Sequence, residues 1–151
     1  MTDSSRQFVE LSRLERFFNG AIGALIRAGI GPSHMRVLEV RGRRSGKVYT
    51  LPVDLLEIGS AQYLVAPRGR TQWVRNAEAQ GEVVLRRGRR IARFRLRELP
   101  APEKPAILKA YLDSFRGEVQ RFFPVQASAP VDAFVPLVER YPVFRLEPVS
   151  S

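Results

Sequence analysis

The seven residues from Arg41 to Lys47, RGRRSGK, combine three arginines and a lysine with two glycines and a serine. Strand-like runs precede and follow this segment, so it is predicted to form the tip of a hairpin. A turn of this composition can present backbone N–H groups, a hydroxyl and several positive charges to one anion. The alternative is a solvated basic turn without a ligand.

Strands and one short helix are predicted to flank this turn. The run that leads out of it is long and contains Pro52, which indicates a bulge or an edge position. The short helix has Thr71 as its N-cap and Gly81 just beyond its end. In chain order the predicted elements are strands Met35 to Arg41, Val48 to Ile58 and Ala61 to Ala66, helix Thr71 to Gln80, strands Glu82 to Arg87 and Arg89 to Leu99, helices Pro102 to Phe115 and Pro130 to Arg140, and strand Tyr141 to Leu146.

A further helix is predicted ahead of these elements, from Phe8 to Ala28, because its apolar residues recur at helical spacing. Residues 1–7 are predicted to be a disordered tail, and residues 8–151 a single domain. About six strands joined mostly by hairpins, with an N-terminal helix, an inserted short helix and C-terminal helices, predict an α+β fold built on a small antiparallel β-barrel. The N-terminal helix is expected to pack on the domain. Peripheral membrane contact is the alternative, because arginines flank its apolar residues.

The chain contains no cysteine and a single histidine, His34. Disulfides, thiolate catalysis and cysteine-based metal sites are therefore excluded, and so is a His-rich metal site. No metal site is predicted. The N-terminal segment lacks the pattern of a signal peptide, and no run is long and apolar enough to span a bilayer. A cytoplasmic location is expected.

The positive charge is concentrated in the middle of the chain. The formal net charge is +10, and residues 36–100 hold 15 basic and six acidic residues. A basic region of this kind indicates an anionic partner: a nucleic acid, an acidic membrane or a phosphorylated cofactor. Solubility alone is the alternative explanation.

Seven short motifs follow one another in an order that matches a known family. On these motifs the sequence resembles the deazaflavin-dependent nitroreductase and quinone reductase family, which has a split β-barrel fold. The resemblance covers about residues 17–147, and the order of the motifs is more specific than any one of them. They are the leading helix Asn19 to Gly31, GRRSG (Gly42 to Gly46), TLPV (Thr50 to Val53), YLVAPRG (Tyr63 to Gly69), WVRN (Trp73 to Asn76), GEVVLRRG (Gly81 to Gly88) and PVFRL (Pro142 to Leu146).

The resemblance implies a cofactor and the residues that bind it. The family binds coenzyme F-420, a deazaflavin with a phosphodiester and an acidic glutamate tail, which the basic turn would hold. Trp73 and Asn76 would line the ring or its linker; a core position for Trp73 and a helix-capping role for Asn76 are the alternatives. Family members commonly carry a further arginine where this chain has Tyr49. The implied cofactor-binding residues are Arg43, Arg44, Ser45, Gly46, Lys47, Pro52, Val53, Ala66, Pro67, Arg68, Gly69, Trp73 and Asn76.

The resemblance also implies an enzyme, an oxidoreductase that uses reduced coenzyme F-420 to transfer a hydride to a quinone, nitroaromatic or enone-like acceptor. Hydride transfer needs orientation and exclusion of water more than an acid–base pair. Tyr111 and Tyr141 are the candidates for a catalytic side chain. An FMN-binding split-barrel oxidoreductase and a non-catalytic flavin- or deazaflavin-binding protein are the alternatives. A nucleic-acid partner is not expected, because the basic region has few aromatic residues for base stacking. Monomer and homodimer both stay open.

Overall fold

The computed structural model describes residues 33–149. The predicted tail at residues 1–7 and the predicted helix Phe8 to Ala28 lie outside the described residues. Within them the fold is a seven-stranded antiparallel sheet with helices in two connections. The strands are β1 (Met35–Arg41), β2 (Val48–Asp54), β3 (Leu56–Ile58), β4 (Ala61–Val65), β5 (Glu82–Arg87), β6 (Arg90–Glu98) and β7 (Val143–Pro148), and the α-helices are α1 (Gln72–Gln80) and α2 (Lys104–Val119).

The sheet curls into a barrel because its two edge strands are consecutive in the chain. The strand order is β2-β1-β5-β6-β7-β4-β3, so β2 and β3 lie at opposite edges. Only Leu55 separates them, and its backbone N–H donates to His34 O at 2.8 Å. The prediction of one continuous strand from Val48 to Ile58 was therefore wrong, and the sheet has seven strands where about six were predicted. The α+β antiparallel barrel itself is confirmed.

Pro52 lies on the edge strand β2, opposite Val37 of β1. The register between these two strands is regular from Met35 to Arg41, without a bulge. Of the two placements that the sequence allowed for this proline, the structure has the edge position. A proline is tolerated there because an edge strand has one side without a ladder partner.

Alternating side chains fill the inside of the barrel, among them Leu38, Leu64, Leu85 and Phe94, all of which are buried. A second layer covers one outer face of the sheet. It consists of α2 and a 3-10 helix at Val131–Leu137, which meet strand residues such as Leu56 and Val143. The helix predicted from Pro130 to Arg140 is a shorter 3-10 helix, and it contains Pro136, which lacks the N–H that a continuing α-helix needs.

Helix α1 begins and ends as the sequence predicts, with one difference at its start. Gly81 follows in the left-handed conformation with φ of 73°, and its N–H donates to Ala77 O. Thr71 has the extended backbone of an N-cap, yet its side chain makes no capping hydrogen bond. The predicted helix Pro102 to Phe115 is a 3-10 turn at Ala101–Glu103 followed by α2. The terminal strand begins at Val143, two residues after the predicted start. Among residues 33–149, none of the helices has the length and apolar character needed to cross a bilayer.

Candidate functional site: a basic turn docked on a helix

The basic turn between β1 and β2 is closed by its own backbone. Gly42 N–H donates to Lys47 O at 2.7 Å, and Gly46 N–H donates to Gly42 O at 3.0 Å. Gly46 has a φ of 72°, in the left-handed region that glycine adopts without strain. The Ser45 hydroxyl accepts from Lys47 N–H at 3.2 Å. The sequence Arg41 to Lys47 therefore forms a tight, internally bonded hairpin tip, as predicted.

Gly42 is closely packed at the base of the turn. It is buried, and a Cβ atom placed on it would lie 2.8 Å from Ser45 Oγ and 2.8 Å from Tyr49 Cε2. The Tyr49 ring thus lies against the turn, although about half of that side chain remains exposed. Where relatives are expected to carry an arginine, this chain places an aromatic ring beside the turn backbone.

Arg43 connects the turn to helix α1. Its backbone N–H and its Nη1 donate to Asn76 Oδ1 at 3.1 Å and 2.8 Å. The same Nη1 also donates to Gln72 Oε1 at 2.9 Å. Asn76 is the buried polar residue of the described core. Its side-chain oxygen is engaged by Arg43, neither capping the helix nor pointing into solvent, and this pairing was not among the roles expected from the sequence.

Two cations of the turn face solvent. Arg44 and Lys47 are exposed, and within residues 33–149 their charged groups have no hydrogen bond or ion pair. Arg41 differs, because its Nη1 donates to Gly46 O at 3.3 Å. The charges of the turn therefore differ: Arg43 and Arg41 make contacts within the fold, whereas the charged groups of Arg44 and Lys47 are exposed and without such contacts in residues 33–149.

The segment from Ala66 to Gly69 leads into the same helix. Gly69 N–H donates to Ala66 O at 3.1 Å, and Thr71 N–H donates to Gly69 O at 2.9 Å, so the segment forms a compact turn that ends at the start of α1. Gly69 has a φ of 82°. The guanidinium of Arg68 lies 5.2 Å from the centre of the Phe122 ring. Because the basic turn docks on Gln72 and Asn76, both turns meet at α1.

The remaining residues of the expected cofactor set line the barrel wall. Trp73 is half-buried and packs toward the barrel interior, with its ring 6.2 Å from that of Phe144. Pro52 and Val53 are half-buried on the edge strand, and Val53 contacts the interior cluster. Pro67 is also half-buried, while Ala66 is fully buried.

The two tyrosines considered as catalytic candidates lie in the outer helical layer. Both are 2% exposed. The Tyr141 hydroxyl donates to Phe122 O, and the ring stacks on Phe123 with 4.5 Å between centroids. Burial raises the pKa of Tyr141. Burial and the nearby carboxylates of Asp54 and Glu118 raise the pKa of Tyr111. A buried phenol with a raised pKa binds its proton tightly, so both hydroxyls fit structural roles.

A polar cluster that the sequence did not predict lies at the far end of the β1–β2 hairpin. His34 Nε2 is 3.2 Å from Asp54 Oδ1 and 3.1 Å from Glu118 Oε1. Burial, followed by the hydrogen bond with Glu118 and the charge of that residue, raises the pKa of Asp54 to about 8. The three residues are distant in the chain and share no motif, so no local signal could have grouped them.

The fold and the site together define a class. A curled antiparallel sheet whose edges meet at Leu55, with a basic hairpin tip docked on an inserted helix, is a split β-barrel. The chain belongs to the F420H(2)-dependent quinone reductase family, whose model matches residues 6–122. As a member of that family it is an oxidoreductase, a reductase that depends on coenzyme F-420. The resemblance inferred from the ordered motifs is confirmed.

Several solved structures have the same fold. One is described as an F420-H2 dependent reductase (FDR-A); it shares 20% identity, with 76% of this chain and 95% of that chain covered and a TM-score of 0.53. Another, described as a domain-swapped dimer, has 20% identity, coverage of 97% and 98% and a TM-score of 0.55. A FAD-binding protein from Mesorhizobium loti has 12% identity, coverage of 86% and 89% and a TM-score of 0.51. No curated protein matches the chain.

Proposed function

We propose that the turn Arg41 to Lys47 binds the phosphate and acidic tail of coenzyme F-420, with Arg44 and Lys47 as its principal anion ligands. The observation that carries this proposal is that these two cations are exposed and unpaired within residues 33–149 on a turn that Arg43 fixes to α1. A guanidinium can make two hydrogen bonds to a phosphate or carboxylate, and an ammonium adds a compact charge. The Ser45 hydroxyl, which already accepts from Lys47 N–H, still has its own proton to donate.

The residues present fit such a ligand. Gly46 in the left-handed conformation has open space around the position of a Cβ, so an anion can approach the backbone there. The net positive charge of residues 36–100 favours a ligand with several negative charges. Since Arg43 and Asn76 preorganise the turn, little conformational entropy is lost when the ligand binds.

The second part of the proposal concerns the ring of the cofactor, which supplies a hydride when it is bound in reduced form. We assign the ring contact to the Ala66–Gly69 turn, which leads into α1, and to Trp73 and Val53, which both pack against the interior of the barrel. Their part is to orient the ring and to exclude water from the face where the acceptor binds. This role asks for apolar walls rather than an acid–base pair, in keeping with the buried positions of Tyr111 and Tyr141.

For the acceptor we propose a quinone or another flat electrophile of similar size, such as a nitroaromatic or an enone. The family to which the chain belongs supports the quinone. A homodimer is the proposed assembly, supported by the similar structure described as a domain-swapped dimer. Light scattering coupled to gel filtration tests it, and a monomer at all concentrations would contradict it.

The cofactor proposal is tested by titrating coenzyme F-420 and FMN in parallel against wild type and Arg44→Ala, followed by fluorescence. Arg89→Ala is the matched control, since Arg89 is an exposed arginine at the tip of the other hairpin. Losing a charge-assisted hydrogen bond should weaken F-420 binding about tenfold or more, because such a bond contributes roughly 1.5–3 kcal/mol. Equal losses in Arg44→Ala and Arg89→Ala would overturn the role of the turn. Tighter binding of FMN than of F-420 would favour the flavin alternative. That alternative is supported by the similar solved structure described as a FAD-binding protein.

A further inference from the structure

Three potential metal ligands converge where β1, β2 and α2 meet. His34 precedes β1, Asp54 ends β2 and Glu118 lies in the last turn of α2. One ligand atom from each residue lies within 4.8 Å of the others. The His34 ring is held by Phe115, with 4.6 Å between ring centroids, so Nε2 is directed at the two carboxylates.

This cluster has fewer hydrogen-bond donors than its carboxylate oxygens could accept from. His34 Nε2 is 3.1 Å and 3.3 Å from the two carboxylate oxygens of Glu118 and 3.2 Å from Asp54 Oδ1, yet a ring nitrogen carries one proton at most. The Asp54 side chain is only 10% exposed, and its buried Oδ1 accepts no well-aligned hydrogen bond from residues 33–149, although His34 Nε2 lies 3.2 Å away. A buried oxygen of this kind is costly unless a proton or a cation approaches it.

We propose that His34, Asp54 and Glu118 form a binding site for one divalent transition-metal ion, with Zn²⁺ the best fit to this ligand set. Zinc is bound by histidine nitrogen and carboxylate oxygen at about 2.0–2.2 Å, so two ligands of a tetrahedral ion are about 3.3 Å apart. The separations of 3.2 Å and 3.1 Å from Nε2 to the two carboxylates match that edge. Calcium and magnesium favour all-oxygen sets and are the poorer candidates.

The site is distinct from the basic turn. His34 and Asp54 flank the open end of the β1–β2 hairpin, and the turn closes its other end. A strand of seven residues spans about 20 Å, so the two sites are separated by roughly that distance. With three protein ligands, the ion joins the two strand ends to α2 and keeps one coordination position for water or another ligand. The ligands are one histidine and two carboxylates from distant parts of the sequence. This is why the sequence, which has no cysteine and one histidine, contains no metal-binding motif.

The test uses the full chain without an affinity tag, stripped with EDTA and titrated with Zn²⁺ by calorimetry. Wild type should bind one Zn²⁺ per chain, and Co²⁺ should give a visible absorption band from nitrogen and oxygen ligation. Glu118→Gln and Asp54→Asn should each weaken Zn²⁺ binding about tenfold or more. Glu98→Gln, which removes an exposed carboxylate elsewhere, should bind like wild type.

Glu118→Gln is the decisive variant, because that side chain is 41% exposed and its replacement should leave the fold intact. Absence of Zn²⁺ uptake by wild type, or equal affinity in Glu118→Gln, His34→Ala and wild type, would overturn the site. Coenzyme F-420 affinity should stay unchanged in Glu118→Gln. The Zn²⁺ titration tests the metal site and the coenzyme F-420 titration tests the cofactor proposal. Either proposal can therefore be contradicted without the other.

Discussion

Arg43 donates two hydrogen bonds to one oxygen atom of Asn76, one from its backbone N–H at 3.1 Å and one from Nη1 at 2.8 Å. The two residues belong to different elements, the hairpin tip and helix α1. The contact places a buried amide between a backbone donor and a charged donor, and it orients the turn so that Arg44 and Lys47 face solvent. The proposed anion site thus depends on a residue that does not itself need to touch the anion.

Asn76→Ala should weaken coenzyme F-420 binding and lower the free energy of unfolding by about 1–3 kcal/mol, because the Arg43 backbone donor loses its buried acceptor. Gln80→Ala on the same helix is the control, since Gln80 is exposed. Asn76→Asp retains an acceptor and should bind F-420 better than Asn76→Ala. Urea unfolding and fluorescence titration measure the two effects. Unchanged affinity in Asn76→Ala would show that the turn is positioned without this contact.

Gly42→Ala should destabilise the protein by about 0.5–1.5 kcal/mol, because the added methyl group meets Ser45 Oγ and the Tyr49 ring at 2.8 Å and pushes these exposed side chains from their rotamers. Gly117→Ala provides the opposite case. It lies within α2, and among residues 33–149 no atom outside the nearby helix backbone lies within 4 Å of the new Cβ, so it should stabilise by about 0.5–1 kcal/mol. Thermal unfolding of both variants and of Gly42→Ala/Tyr49→Ala tests the packing argument. The double variant should regain part of the loss, and no recovery would place the strain in the backbone.

The free energy of unfolding should depend on pH because of Asp54. Its pKa is about 8 in the fold, against about 3.9 in an unfolded chain, so the folded protein keeps a proton that the unfolded chain has released. Stability in metal-free buffer should therefore fall as pH rises from about 4 to 8, by at most about 1.4 kcal/mol per pH unit, and level off above 8. In Asp54→Asn this fall should be absent. Urea unfolding at pH 5 and pH 8 measures it, and equal slopes in variant and wild type would refute the assignment.

Tyr141→Phe should cost about 1 kcal/mol of stability, because the Phe122 carbonyl loses its donor, and should leave kcat for quinone reduction within about twofold. Tyr63→Phe is the control, a half-buried tyrosine that packs on the same core. Tyr111→Phe should likewise retain turnover. A tenfold or larger fall in kcat in either buried variant, with stability preserved, would instead place its hydroxyl on a proton-transfer path.

The local features of this protein were predictable from short stretches of sequence. The positions of glycines and the alternating strand patterns predicted the basic turn and two hairpins. Gly81 predicted the end of α1. The ordered motifs identified the family that the comparison confirms. Each of these signals depends on residues that are neighbours in the chain. The ligand roles assigned to Arg44, Ser45 and Lys47 remain predictions.

The tertiary structure decided the features that join distant residues. The break at Leu55 follows from closure of the barrel, which requires one strand run to serve both sheet edges. The bond from Arg43 to Asn76 and the meeting of His34, Asp54 and Glu118 exist because the β1–β2 hairpin packs on two different helices. The sequence alone determined that a basic, glycine-bounded turn would form, since its conformation is set within seven residues. The tertiary structure decided which charged side chains of the turn stay exposed, because α1 packs beside the turn and engages Arg43.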